Sequence, residues 1–282
     1  MNTSATSFMK KFIFFLPVIF SIISCKKNRE ENPTPLVSRV TANGGIAYKF
    51  YYNDNRQLSR WEFFNYEQVG NPMVSQIEFS YDSDGLISQL SSFSEPGKVP
   101  TQRLIFQKDA AKKRYSGFEG YDPQGPNPAN PSRWAKFNYG ASERLNSVVI
   151  RDKDDKLMVQ YNLSYFDDGT LKQRDAYDET VTNQLRLTER AIFSLPLPDG
   201  AIGWEGILAI PLDGAEVART AKYDGIQRYT YNNGVLTNHR SELVSAREYN
   251  EDGTLKRHAF VRKNILPAKP DHEANWEFEY IK

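Results

Sequence analysis

A seven-residue element framed by tyrosine, Asp-Gly and leucine recurs along most of this 282-residue chain. Its fullest form is Tyr165-Phe166-Asp167-Asp168-Gly169-Thr170-Leu171. Tyr249-Asn250-Glu251-Asp252-Gly253-Thr254-Leu255 keeps five of those seven residues, and Tyr81-Asp82-Ser83-Asp84-Gly85-Leu86-Ile87 keeps the Tyr-x-x-Asp-Gly frame. Weaker copies run from Tyr52 to Leu58 and from Tyr139 to Leu145, and Tyr231-Asn232-Asn233-Gly234-Val235-Leu236 is one residue shorter. An element repeated in this way marks an array of one supersecondary unit, so the chain is first a repeat and only then a candidate for any site.

The flanks give the unit its shape. Before the tyrosines the residues alternate: Ile77, Phe79 and Tyr81 enclose Glu78 and Ser80, while Tyr161, Leu163 and Tyr165 enclose Asn162 and Ser164. Period-two alternation rich in aromatics is the pattern of a strand buried on one face. The Asp-Gly or Asn-Gly that follows supplies the positive φ of a tight turn. Leu58, Leu145, Leu171, Leu236 and Leu255 then return the chain to the apolar face, and each unit reads as a β-hairpin.

These residues resemble the YD repeat, a pattern shared by Rhs-type shell proteins and many small bacterial lipoproteins. The resemblance runs from about Tyr48 to Tyr280, with the literal pair at Tyr81-Asp82; Tyr52, Tyr231 and Tyr249 are followed by Asn, and Tyr139 by Gly. It implies a spiralling antiparallel sheet and brings no catalytic residue with it.

The N-terminus reads differently. Lys10 and Lys11 precede a run from Phe12 to Ile23 that is apolar apart from Pro17 and Ser21. That run is short for a bilayer span of about 20 residues and suits the core of a signal peptide over residues 1–24. It ends in Ile22-Ile23-Ser24-Cys25, which resembles a bacterial lipobox, and Cys25 is the only cysteine in the chain. Cys25 is therefore the expected lipidation site, with several acyl chains anchoring the mature protein to a membrane. Met9-Lys10-Lys11 is an alternative start to Met1. Lys26 and Lys27 stand where an aspartate would resemble an inner-membrane retention signal, which points to the outer membrane. Residues 25–38, polar and carrying Pro33 and Pro35, read as a flexible tether.

Residues 39–282 are expected to form one all-β domain, an antiparallel meander of hairpins making one large, strongly curved sheet of about a dozen strands. With a lone cysteine, no disulfide staples it. Aromatics make up 13% of the chain, so cross-strand aromatic pairs are the expected core. Two inserts interrupt the array. Residues 116–132, with four prolines and three glycines, read as a long loop. Residues 193–218 are apolar and are expected to pack as a plug over an open end of the sheet, burying Trp204; the alternatives are a ligand-binding lip centred on Trp204 and an oligomer contact.

Reactive constellations are scarce. His239, His258 and His272 lack metal-ligand spacing, and Gly140-Ala141-Ser142-Glu143-Arg144 departs from a nucleophile elbow at its last position. Asp82-Ser83-Asp84-Gly85 places Ser91 where a calcium loop needs a bidentate glutamate. No catalytic residue, metal or cofactor is expected. The formal net charge is +1, and about −1 once Lys10 and Lys11 are removed, which speaks against nucleic acid as a partner. The expectation is a lipid-anchored envelope protein, a non-enzymatic binding or scaffold module with an envelope protein or glycan as partner. The alternative is an envelope glycan hydrolase or lyase.

Overall fold

The computed structural model describes residues 35–281 except 95–97, 110, 113, 168, 170, 181–183 and 194–224. The signal peptide, Cys25, most of the tether and most of the second insert, including Trp204, lie outside the described residues.

The first half of the described chain forms β1 (Leu36–Ala42), β2 (Gly45–Tyr52), β3 (Leu58–Phe64), β4 (Met73–Tyr81), β5 (Ile87–Phe93), β6 (Gln102–Asp109), β7 (Arg114–Tyr121) and β8 (Arg133–Tyr139). The second half forms β9 (Leu145–Asp152), β10 (Leu157–Tyr165), β11 (Leu171–Glu179), β12 (Leu185–Phe193), β13 (Gly225–Asn232), β14 (Val235–Tyr249), β15 (Leu255–Leu266) and β16 (Lys269–Ile281). Each strand pairs antiparallel with the next, and β1 pairs with β16, Val40 opposite Phe278. The array is thus a closed barrel of sixteen strands rather than an open curved sheet of about a dozen. Closure removes both free edges, which an open meander leaves to pair with other chains.

Alternation decides what faces inward. Phe79, Leu90, Leu104, Phe106, Phe118, Phe137 and Val148 line up across β4 to β9 as one buried cluster. Val37, Val40, Phe50, Leu255 and Phe278 form a second beside the closing seam. Many of the intervening positions point outward and are polar, Lys49 opposing Glu62, Arg60 opposing Glu78, and Arg190 and Asp175 joined at 2.7 Å, with Val74, Met158 and Leu243 as exposed apolar exceptions.

In a meander alternate connections fall on opposite rims. The turns after β2, β4, β8, β10 and β14, which hold the repeated element, share one rim with the start of β1 and the end of β16. There the repeat has a two-part mechanical logic. The tyrosine reaches back to the preceding hairpin: the Tyr81 hydroxyl donates to the Leu58 carbonyl at 2.7 Å, Tyr139 to Tyr115 at 2.8 Å, Tyr280 to Leu255 at 2.8 Å, and Tyr165 to Leu145. The Asp or Asn after it closes its own turn. Asp82 Oδ1 accepts the Asp84 and Leu86 amides at 2.8 and 3.1 Å, and Asn53 Oδ1 accepts the Gln57 amide at 2.9 Å. Gly85, Gly169 and Gly253 have φ of +77°, +94° and +81°, as the turn reading requires.

Three expectations need correction. Residues 116–121 belong to β7, so only 122–132 form the loop; Gly117 and Gly120 serve close strand packing, since a Cβ on Gly117 would sit 2.1 Å from the Ala135 carbonyl oxygen. The domain begins at Leu36, not residue 39, because Val37 is buried and receives the Tyr52 hydroxyl at 2.7 Å. The Tyr231 copy makes the expected hairpin, Asn233-Gly234 forming a two-residue turn with φ of +48° and +78°, on the rim opposite the other copies. Tyr81 and Tyr165 pack on the core but are half-buried, their rings spanning to the neighbouring hairpin instead of pointing straight inward.

Candidate functional site

Towards the rim opposite the repeated turns, the inner wall changes character twice. Across β2, β3, β4 and β16 it is aromatic and open. Tyr48, Trp61, Phe63, Ser75 and Ile77 line a cavity of about 170 Å³, all half-buried. Ring centroids lie 5.8 Å apart between Tyr48 and Trp61, 5.3 Å between Tyr48 and Phe63, and 5.9 Å between Tyr48 and Trp276. The Trp61 indole Nε1 is buried without a hydrogen-bond partner. Burial, assisted by Tyr66, pushes the Tyr48 hydroxyl up to about 12, while Arg262 acts in the other direction.

Across β11 to β15 the inner wall becomes charged. Ala191, Phe193 and Ile226 belong to the core, which fixes the inward face of β12 and β13. Arg228, two residues after Ile226 and directly opposite Ala191, therefore points inward. Register carries the same face onward: Arg228 opposes Arg240, Ile226 opposes Glu242, Glu242 opposes Arg262, and Arg262 opposes His272. Arg174 and Glu189 join from β11 and β12, paired at 2.8 Å.

The cations outnumber the anions. Glu242 is shared by Arg262 at 2.8 Å and Arg240 at 3.3 Å, and Glu189 is taken by Arg174. Arg228 has no carboxylate partner among the described residues, and its Nε is buried without a hydrogen bond. Burial lowers the Arg240 pKa; Glu242 opposes that shift, and Arg262 and Arg228 reinforce it.

The aromatic and charged walls meet at Arg262. Its guanidinium lies 5.9 Å from the Phe260 ring centre, Phe260 lies 5.4 Å from Trp276, and Trp276 touches Tyr48. His258, between Phe260 and the Trp276 register position, is buried, and burial followed by the Arg247 charge lowers its pKa to about 4.

Of the residues singled out in the sequence, Ile77 lines the aromatic cavity and His272 stands opposite Arg262. Cys25 and Trp204 lie outside the described residues. The three histidines are spread out: His239 stacks on Tyr229 at 4.2 Å, His258 is in the core, and His272 faces Arg262. Among the described residues no group of three or more His, Cys, Asp and Glu gathers as a metal set. One sequence signal did mark the arginines. In β14, Arg240 and Glu242 stand at the inward alternate positions, where β4 holds Ile77 and Phe79.

No known protein family and no curated protein matches this sequence. The fold does have likenesses among solved structures. A porin-like protein from Bacteroides uniformis superposes with a TM-score of 0.51 over 87% of this chain and 96% of its own, at 10% identity. A porin-like protein from Bacteroides vulgatus gives a TM-score of 0.41 over 87% of this chain and 98% of its own, also at 10% identity. A crystal structure of TcdB2-TccC3-TEV gives 0.31 over 83% of this chain and 13% of its own. The first of these likenesses is one of fold alone.

Proposed function

We propose that this chain is a cell-envelope protein tethered to the outer membrane by a lipid on Cys25, with a barrel that binds a ligand inside its open end and catalyses no reaction. The observation that carries this reading is the polarity of the two faces. A membrane-spanning barrel turns an apolar band outward. This one turns Lys49, Arg60, Glu62, Glu78 and the Asp175–Arg190 pair outward and its aromatics inward. Such a barrel suits water, so membrane attachment falls to the lipidated cysteine. The porin-like shape and the YD-like repeat fit an envelope setting.

β1 starts at the rim of the repeated turns, while the cavity lies towards the other rim. A glycan hydrolase needs two carboxylates free to exchange protons. The inner-wall carboxylates Glu189 and Glu242 are instead held by arginines, which supports binding.

Metabolic labelling with an alkyne fatty acid, combined with membrane fractionation of wild type and Cys25→Ser, tests the anchor. Labelling is expected to vanish and the protein to leave the membrane fraction. Labelling that persists in Cys25→Ser sinks the assignment.

A further inference from the structure

We propose that the inner wall between β12 and β15 holds the oxyanion of a ligand whose ring lies against Tyr48, Trp61 and Phe63; the chemistry that fits is an acidic sugar, carrying a carboxylate or a phosphate. This deepens the reading of the barrel as a binding module and rests on it.

Three observations converge. First, Arg228 and Arg240 stand directly opposite each other on neighbouring strands, an arrangement that is destabilising for like charges. With Arg262 diagonal to Arg240 and Glu242 shared by Arg240 and Arg262, a positive charge is left over at half-buried side chains. An anion at that point offsets the repulsion, and the planar arginine fork matches carboxylate and phosphate oxygens two at a time.

Second, the donors are already in place. Arg228 Nε is desolvated and has no acceptor among the described residues, a condition that a bound oxygen would relieve.

Third, the cation patch continues into the aromatic wall through Arg262, Phe260, Trp276 and Tyr48. The cavity of about 170 Å³ is the size of a single six-membered ring. Its wall offers flat apolar faces, and Ser75 and the unpaired Trp61 Nε1 supply polar groups for a ring that also carries hydroxyls. An acidic sugar presents both halves at once, while a fatty acid lacks the hydroxyls and a neutral sugar lacks the charge.

The test is titration of the full-length protein with glucuronate, glucose 6-phosphate, glucose and inorganic phosphate, read by tryptophan fluorescence and by calorimetry. Saturable binding of glucuronate or glucose 6-phosphate is expected, with glucose and phosphate roughly tenfold weaker or worse, the scale of one charged hydrogen bond. Which acidic sugar binds tighter tells carboxylate from phosphate. Arg228→Gln is expected to weaken binding by about tenfold or more while leaving the melting temperature unchanged or higher, because it removes a repulsion. A purely structural arginine predicts the reverse. Should Arg228→Gln not fold, Arg228→Lys keeps the charge, loses the fork and is expected to weaken binding by a smaller factor.

Equal binding of glucose overturns the oxyanion site yet leaves a binding barrel standing. Inorganic phosphate binding as tightly as glucose 6-phosphate overturns the ring subsite. No binding of either acidic sugar, or a lower melting temperature with unchanged binding in Arg228→Gln, overturns the proposal as a whole. Persistent acyl labelling of Cys25→Ser bears on the anchor alone.

Discussion

At the scale of single residues, the repeated tyrosine acts through its hydroxyl as much as its ring. The hydroxyls of Tyr81, Tyr139, Tyr165 and Tyr280 bridge to backbone carbonyls of the preceding hairpin, so Tyr81→Phe keeps the packing and removes only the bond to Leu58. A loss of about 1 kcal/mol is expected, and Tyr280→Phe, which removes the bond to Leu255, should cost a similar amount, with the double variant showing whether the two bonds act independently. Chemical denaturation of the two single variants and the double variant checks this; an unchanged midpoint in Tyr81→Phe removes the bridge as a source of stability. His258 gives the molecule a pH dependence of definite sign. Its pKa falls from 6.5 to about 4 on folding, so between those values the unfolded chain binds more protons and stability falls as pH falls. The loss approaches about 3 kcal/mol below pH ~4 and is absent above about 6.5. His258→Gln should flatten stability across that window. An equal acid loss in the variant would assign it to other groups.

At the scale of elements, the hairpin turns separate backbone strain from crowding. Gly253 has φ of +81° and open space around the position of a Cβ, so Gly253→Val tests strain alone and should cost about 1–3 kcal/mol. Gly253→Asn should cost less, since asparagine tolerates that region, as Asn43 and Asn233 do at +51° and +48°. Melting of both variants measures the difference; a valine as stable as wild type would mean the turn adopts another conformation. The turns and alternating strands were legible in the sequence because both are local: a glycine at a fixed offset from a tyrosine, and a period of two. The 116–132 stretch misled for the same reason. Gly117 looks like a loop residue from its neighbours in sequence, whereas its role is set by Ala135, which arrives from the adjacent strand.

At the scale of the whole molecule, closure is the decisive event. The seam joins Val40 to Phe278 across most of the chain, and both are buried in the smaller core cluster with Phe50 and Leu255. Phe278→Ala should cost about 3–5 kcal/mol, as for a buried large aromatic. In a closed barrel the amides of β1 and β16 should resist hydrogen exchange as well as those of β6 and β7. Rapid exchange along β1 would indicate an open edge and defeat the closed topology.

The sequence by itself determined what short-range chemistry can determine: that the chain is all-β, that it is built of tyrosine-anchored hairpins, that aromatics fill one face of its strands, and where the turns fall. Tertiary structure decided the rest. Closure depends on the pairing of β1 with β16, Val40 opposite Phe278, which no local pattern encodes, and the strand count depends on it. The inner cluster of Arg228, Arg240 and Arg262 exists because three strands come into register. Each arginine alone reads as an ordinary surface charge, and only the barrel turns all three towards one interior, where lowered hydration makes their mutual repulsion count.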